Sequence, residues 1–358
     1  MDRRSFLRVF GLGAASFGLT SAFPGPSFAA SLKDEAAKNA SIKPISGSWF
    51  EFNHPGGKEG VNWDGDLTNF TAQMWRDKIF EIRETGMEYL VLMNMATCGK
   101  AYFDTALAPK IQMGCDDPLE EVLSAADECG IKFFVSNGFW GDDLDAVKMM
   151  TDKDIAKKRE SAMEEIWGRY GHHKSFYGWY FSNECWLDPY YGDFVQPYVN
   201  ESSRIAHSLC SSTRTLIAPY NIKKVKFDDT FVRQLEDLDV DIVAYQDGVG
   251  VNSTKLEDSA KYFEKLYLAH QKAARSRIWA DMELFSFEQT THGSLIPADF
   301  NGRILKQMEA ISPYVDKILV YQYLGIMNKP FSKAPAGLTD CSEKLYTDYM
   351  NWYKSQKF

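Results

Sequence analysis

Two glutamates stand where an apolar, aromatic stretch gives way to polar sequence. Gly178-Trp179-Tyr180-Phe181 leads into Asn183-Glu184, and Ile278-Trp279-Ala280-Asp281-Met282 leads into Glu283. One glutamate at such a point is more often a solvated loop residue than a catalyst. Two of them, one preceded by Asn, form a candidate pair for acid–base and nucleophilic work. Other apolar runs end in similar chemistry: Glu51-Phe52-Asn53-His54, Asn94-Met95, Asn137-Gly138-Phe139-Trp140, Tyr220-Asn221, Tyr245-Gln246-Asp247 and Tyr321-Gln322-Tyr323, with Cys185-Trp186 directly after Glu184. These ends are rich in carboxylates, carboxamides and aromatic rings, and poor in lysine, arginine and phosphate-binding glycines. Carboxylates and carboxamides suit hydroxyl groups, and flat rings suit the C–H faces of a pyranose. The set reads as a sugar site.

The elements that must position these residues are legible as a repeat. Strand candidates are Ser46–Phe52, Tyr89–Asn94, Lys132–Asn137, Tyr177–Asn183, Thr215–Pro219, Asp241–Gln246, Arg277–Met282 and Lys317–Gln322. Each is a near-continuous hydrophobic run, as parallel strands covered on the outer face require. Between them lie amphipathic stripes. Ala72, Trp75, Ile79 and Ile82 precede Gly86 at a C′ position. Asp117-Pro118 gives an N-cap and a first-turn proline, Glu120 completes a capping box, and Gly130 closes that helix. Ile155, Ala162 and Ile166 form a third stripe, and further helices fit Tyr198–Leu209, Phe231–Leu238, Leu256–Ala274, Ile304–Ile311 and Ser342–Tyr353. Eight strand–helix units in strict alternation predict an α/β fold, a TIM-type (β/α)8 barrel, whose chemistry sits where strands end. A doubly wound open sheet is the runner-up, but no Gly-rich phosphate fingerprint follows any strand.

At these positions the chain resembles clan A of the retaining (β/α)8 glycoside hydrolases, where an Asn-Glu pair closes strand four and a glutamate closing strand seven is the nucleophile. More narrowly, Gly178-Trp179-Tyr180 with Asn183-Glu184, Tyr245-Gln246-Asp247-Gly248-Val249-Gly250 and Trp279-Ala280-Asp281-Met282-Glu283 are similar to a family of glycosyl-hydrolase-like proteins. That family is common in gut Bacteroides-type bacteria and long known as a domain of unknown function; the likeness spans most of the chain from about Ile45. The resemblance implies a retaining glycosidase with a carbohydrate substrate, no cofactor and no metal. It implies Glu184 as acid/base, Glu283 as nucleophile, Asn183 on the sugar 2-hydroxyl and Tyr245 steadying the nucleophile. Gln246, Asn137, Trp140, Trp186, Tyr323 and Glu51 are the other substrate-contact candidates. Retention needs two carboxyls roughly 5–5.5 Å apart, one protonated and one ionised, and strands four and seven face each other across a barrel mouth. Where the clan often has an arginine near strand two, a histidine on strand three or six and a tryptophan closing strand eight, this chain has Asn94, Asn137 and Tyr323.

Other residues invite plainer readings. Asp281 is expected to point away from the Glu283 position, and Asp247 reads as either a substrate loop or a turn. Trp49, Trp63, Tyr190 and Phe285 are left as core or platform, and Trp179 as core. His172-His173 reads as a loop element without a third ligand nearby in sequence. Asn62-Trp63-Asp64-Gly65-Asp66 hints at a calcium loop but lacks the closing glutamate of an EF-hand. Cys185 has no partnered histidine in the pattern. The six cysteines form no CxxC and no cluster, so buried thiols are the simpler expectation than a disulfide framework.

The N-terminus reads as a signal peptide over residues 1–29. Arg3-Arg4-Ser5-Phe6-Leu7-Arg8 precedes an apolar Gly/Ala-rich run, and Ser27-Phe28-Ala29 offers a small-residue cleavage site. The paired arginines resemble the twin-arginine export signal. Residues 30–45 read as a linker and 46–358 as one barrel domain. The expected location is periplasmic or extracellular, with no membrane span in the mature chain. The formal net charge is −9 for the whole chain; without the signal it is more negative, which leaves no electrostatic footprint for nucleic acid or anionic membrane. Nothing in the sequence fixes an oligomeric state. The competing function class is a non-catalytic carbohydrate-binding barrel, separable by the distance between the two glutamates. A metal-dependent barrel hydrolase would need several strand-end histidines, and only His54 lies near one.

Overall fold

The structure, a computed structural model, describes residues 41–356 apart from 143, 183, 290 and 291. Eight strands run parallel: β1 (Ile45–Phe50), β2 (Tyr89–Leu92), β3 (Lys132–Ser136), β4 (Phe176–Tyr180), β5 (Arg214–Ile217), β6 (Ile242–Gln246), β7 (Arg277–Glu283) and β8 (Ile318–Tyr321). They close in the order β1-β8-β7-β6-β5-β4-β3-β2. The expected barrel is present, with strand limits within a few residues of those read from sequence.

The continuous hydrophobic runs have a physical explanation: both strand faces are buried. Trp49, Val91, Phe134, Tyr180, Leu216, Ala244, Trp279 and Leu319 fill the lumen. Their neighbours Phe50, Leu90, Phe133, Trp179, Ile217, Val243, Ala280 and Val320 pack outward under the helices. Tyr89 and Trp279 meet edge to face at 5.0 Å, as do Trp49 and Tyr180 at 5.8 Å, so the barrel is packed with aromatic side chains.

The outer helices are α1 (Ala72–Glu84), α2 (Pro118–Cys129), α3 (Lys153–Tyr170), α4 (Val195–Leu209), α5 (Asp229–Asp237), α6 (Leu256–Ala273), α7 (Leu305–Ile311) and α8 (Thr339–Ser355). The ends of α2 follow the sequence signals, except that the Glu120 carboxylate faces His173 Nε2 instead of closing a capping box on Asp117 N. Asp117 caps α2 by accepting from Glu120 N at 3.2 Å, and Gly130 ends it with φ 78°. A π-helical turn, Phe300–Ile304, leads into α7 and carries Arg303. That residue matters at the mouth. Among the described residues no helix is long and apolar enough to cross a membrane, and the segment expected to be an export signal, residues 1–29, lies outside the described residues.

Candidate active site

The C-terminal mouth of the barrel is built from three groups of side chains. The first follows β4. Ser182 is fixed by Asn137, whose Oδ1 accepts from Ser182 N at 3.3 Å, and by Ser136, whose hydroxyl lies 3.0 Å from that of Ser182. Glu184 comes shortly after, deep in the mouth yet open to solvent. Its Oε1 accepts from Gln246 Nε2 at 3.2 Å. Loss of surrounding water raises its pKa; the charge of Glu59 adds to the rise, while the Gln246 hydrogen bond and His54 oppose it. Cys185, buried beside it, is pushed up to about 12 by burial and the Glu184 charge, so it is a poor nucleophile.

The second group joins β6 to β7. Glu283 is the last residue of β7, and its Oε2 accepts from Val251 N at 2.9 Å in the loop after β6. Gly250 is required there: a Cβ would stand 2.7 Å from Phe285 O and 2.9 Å from Glu283 Oε2. Behind the strand, Asp247 accepts from Val249 N (3.2 Å), Glu283 N (3.3 Å) and Gln307 Nε2 (2.5 Å). Arg303 donates to the carbonyls of Glu283 and Phe285. Burial and the nearby Asp247 push Glu283 up to about 8, against the Val251 and Gly250 amides and Arg303. Asp247 is thus a buried support facing α7, neither a substrate contact nor a simple turn.

Asp281 differs from expectation. Side chains two apart on a strand share a face, so Asp281 shares the lumen with Trp279 and Glu283 instead of turning away. It is buried, its Oδ1 has no hydrogen-bond partner, and burial holds its carboxyl far above the usual range, reinforced by Glu283, Asp247 and Glu184.

The third group links β1 to β8. Glu51, fully buried, accepts from Trp63 Nε1 (2.9 Å) and Gln322 Nε2 (2.6 Å), and lies 3.1 Å from His54 Nδ1. The Tyr321 hydroxyl is 2.9 Å from His54 Nδ1 and 3.4 Å from Glu51 Oε2. His54 Nε2 is 3.4 Å from Glu59. Burial works against the charges of this cluster, but pairing prevails: Glu51 is lowered and His54 is raised to about 10. Burial also raises Asp64, which accepts from His54 N, to about 6. Asp64 and Asp66, which accepts from Gly337 N, thereby serve protein contacts.

Of the residues read from sequence, Glu184, Glu283, Gln246 and Glu51 meet at the mouth. Asn183 lies outside the described residues. Trp186 is half-buried, its ring against Phe194 at 5.3 Å. Four candidates face elsewhere. Tyr245 sits on the outward face of β6, its hydroxyl 2.9 Å from His270 Nε2 of α6, so it does not steady Glu283. Asn137 turns toward α4, donating to Ser202 and accepting from Tyr198. Trp140 is buried against Phe103. Tyr323 is buried beneath Lys78 of α1, 5.6 Å from its ammonium. For Tyr245, Asn137 and Tyr323 the side chain falls on the helix-facing side of the wall. His54, Tyr321, Gln322 and Trp63 also belong to the site; the sequence places the first three at strand ends and leaves Trp63 as core or platform, without counting any of them among the substrate-contact candidates. Tyr321 was within reach, because it shares the lumen parity of Leu319.

Solved structures share the architecture. A candidate α-L-fucosidase from Bacteroides thetaiotaomicron aligns with 97% of this chain and 100% of its own, at 16% identity and TM-score 0.67. An endo-1,4-β-D-mannanase from Thermotoga petrophila aligns with 87% and 99%, at 11% and 0.58. A β-galacturonidase from Eisenbergiella tayi aligns with 88% of this chain and 51% of its own, at 14% and 0.53. Identities this low establish the glycosidase-like barrel fold and nothing finer. No curated protein matches the sequence. Residues 45–334, most of the chain, match one family model, and the protein belongs to that family, described as domain of unknown function DUF4434.

Proposed function

We propose that the protein is an exported glycoside hydrolase that cleaves a glycan or glycoside by double displacement, with Glu184 as acid/base and Glu283 as nucleophile. The observation that carries this reading is the end of β6, which holds both carboxylates: Gln246 donates to Glu184, and the Gly250–Val251 backbone holds Glu283. With Oε2 tied to Val251 N, Glu283 Oε1 is left to attack the anomeric carbon. Glu184 gives its proton to the departing glycosidic oxygen, then takes one from the water that releases the sugar. Gln246 and the Glu51–His54–Tyr321 cluster offer donors and acceptors for sugar hydroxyls. The proposal of export rests on Arg3-Arg4 and Ser27-Phe28-Ala29.

One observation favours a second reading with the two roles exchanged. Glu283 holds its proton up to about pH 8, as a general acid would, while Glu184 is the more solvent-open of the two. A screen of activated aryl glycosides and plant or host polysaccharides for reducing-end release tests hydrolysis, with Glu184→Gln and Glu283→Gln as controls. Release lost in both variants supports the proposal. Glycan binding without release by the wild type would put a non-catalytic carbohydrate-binding barrel in its place.

A further inference from the structure

His172 and His173 lie in the loop that enters β4, at the end of the barrel opposite the mouth. The fold brings to them a third group distant in sequence: Glu120, in the first turn of α2. One ligating atom from each of Glu120, His172 and His173 lies within 4.8 Å of the others. Both imidazoles are oriented by a hydrogen bond at Nδ1. His173 Nδ1 is 2.8 Å from Asp127 Oδ2, and His172 Nδ1 is 2.9 Å from the Arg169 carbonyl. Both partners are acceptors, so each Nδ1 carries a hydrogen and, in the neutral ring, each Nε2 presents a lone pair. Metal-binding histidines are held in this way, by a carboxylate or a carbonyl on the far nitrogen.

The remaining contact is the informative one. His173 Nε2 faces Glu120 Oε2 at 3.1 Å. A lone pair facing a carboxylate needs a positive species between them, either a proton or a cation. In a tetrahedral site with bonds of 2.0–2.1 Å, ligand atoms stand about 3.3 Å apart, close to that spacing. The two imidazole centroids also lie 4.2 Å apart, with the ring planes tilted by 36°; this closeness disfavours protonating both and suits two neutral ligands to one ion. His173 is buried and held on Asp127, whereas His172 is exposed, with its ligating atom within 4.8 Å of the other two.

We propose that Glu120, His172 and His173 form a structural site for a divalent metal of the zinc class, with Asp127 orienting His173. Two imidazoles with one carboxylate suit zinc, nickel or copper over magnesium or calcium. The ion would clamp the start of α2 to the loop entering β4, away from the proposed chemistry.

The test is calorimetric titration of the full, tag-free chain with zinc, beside Glu120→Gln and His172→Ala, whose side chains are accessible enough to spare the fold; circular dichroism verifies this. The expected result is one equivalent bound, affinity at least tenfold weaker in each variant, no competition from a large excess of magnesium, and a melting temperature that zinc raises in the wild type alone. Absence of saturable binding, or binding undiminished in both variants, would overturn the proposal and leave His173 as a protonated bridge between Asp127 and Glu120.

Discussion

Replacing Glu51 with Gln removes the anion that holds His54 charged. His54 is 7% exposed, its Nδ1 3.1 Å from Glu51 and its Nε2 3.4 Å from Glu59. A rise from 6.5 to about 10 corresponds to about 5 kcal/mol of favourable interaction for the imidazolium. Glu59 supplies part of it, so about 3 kcal/mol is assigned to Glu51, in the range for breaking a buried pair. The sign follows from linkage. A group whose folded pKa is raised stabilises fully below its unfolded value, here about 6.5, and loses that stabilisation as pH climbs to about 10. Glu51→Gln should therefore cost about 3 kcal/mol at pH 7 and about 1.5 kcal/mol at pH 9. Urea denaturation followed by tryptophan fluorescence at both pH values reads the difference, since other titrating groups cancel between the two proteins. A cost equal at pH 7 and pH 9, or below about 1 kcal/mol at pH 7, would refute the charged His54 and the cluster built on it.

The other predictions concern the mouth and the leader. Gly250→Ala places a methyl 2.9 Å from Glu283 Oε2 and 2.7 Å from Phe285 O; it should lower stability by about 1–3 kcal/mol in urea melts and cut kcat/KM at least tenfold. With Glu283 raised to about 8, a nucleophilic Glu283 must lose its proton first, so kcat/KM should climb through about pH 8; a fall through that pH identifies Glu283 as the acid. Changing Arg3 and Arg4 together to lysine should retain the precursor in the cytoplasm, and unchanged export in cell fractions would remove the twin-arginine assignment.

The barrel was legible because its signals are local. Apolar runs such as Tyr89–Leu92, caps such as Asp117 and left-handed glycines such as Gly130 depend on neighbours in the chain. Glu283 was legible for the same reason, as the last residue of its strand. The side-chain facing of individual mouth residues was harder. Asp281 is an error of parity, since residues 279, 281 and 283 share the lumen. Tyr245 and Asn137 are set by partners on α6 and α4, His270 and Ser202, that no local pattern names. Glu51 reads from sequence as a substrate contact and not as a hub, because its donors Trp63 and Gln322 come from two different loops. The His172–His173 pair reads as a bare loop until the fold delivers Glu120.

The division of labour between the two glutamates is tested most directly by azide rescue of their alanine variants on an activated β-glycoside that the wild type hydrolyses. Each carboxylate serves a different face of the anomeric carbon. Glu184→Ala should still form the glycosyl-enzyme, stall for want of a base, and release a β-glycosyl azide. Glu283→Ala should let azide enter from the vacated face and give the α-azide. The same two products with the variants interchanged would mean that the roles are reversed, and one stereochemistry from both variants, or undiminished hydrolysis in either, would contradict the assignment altogether.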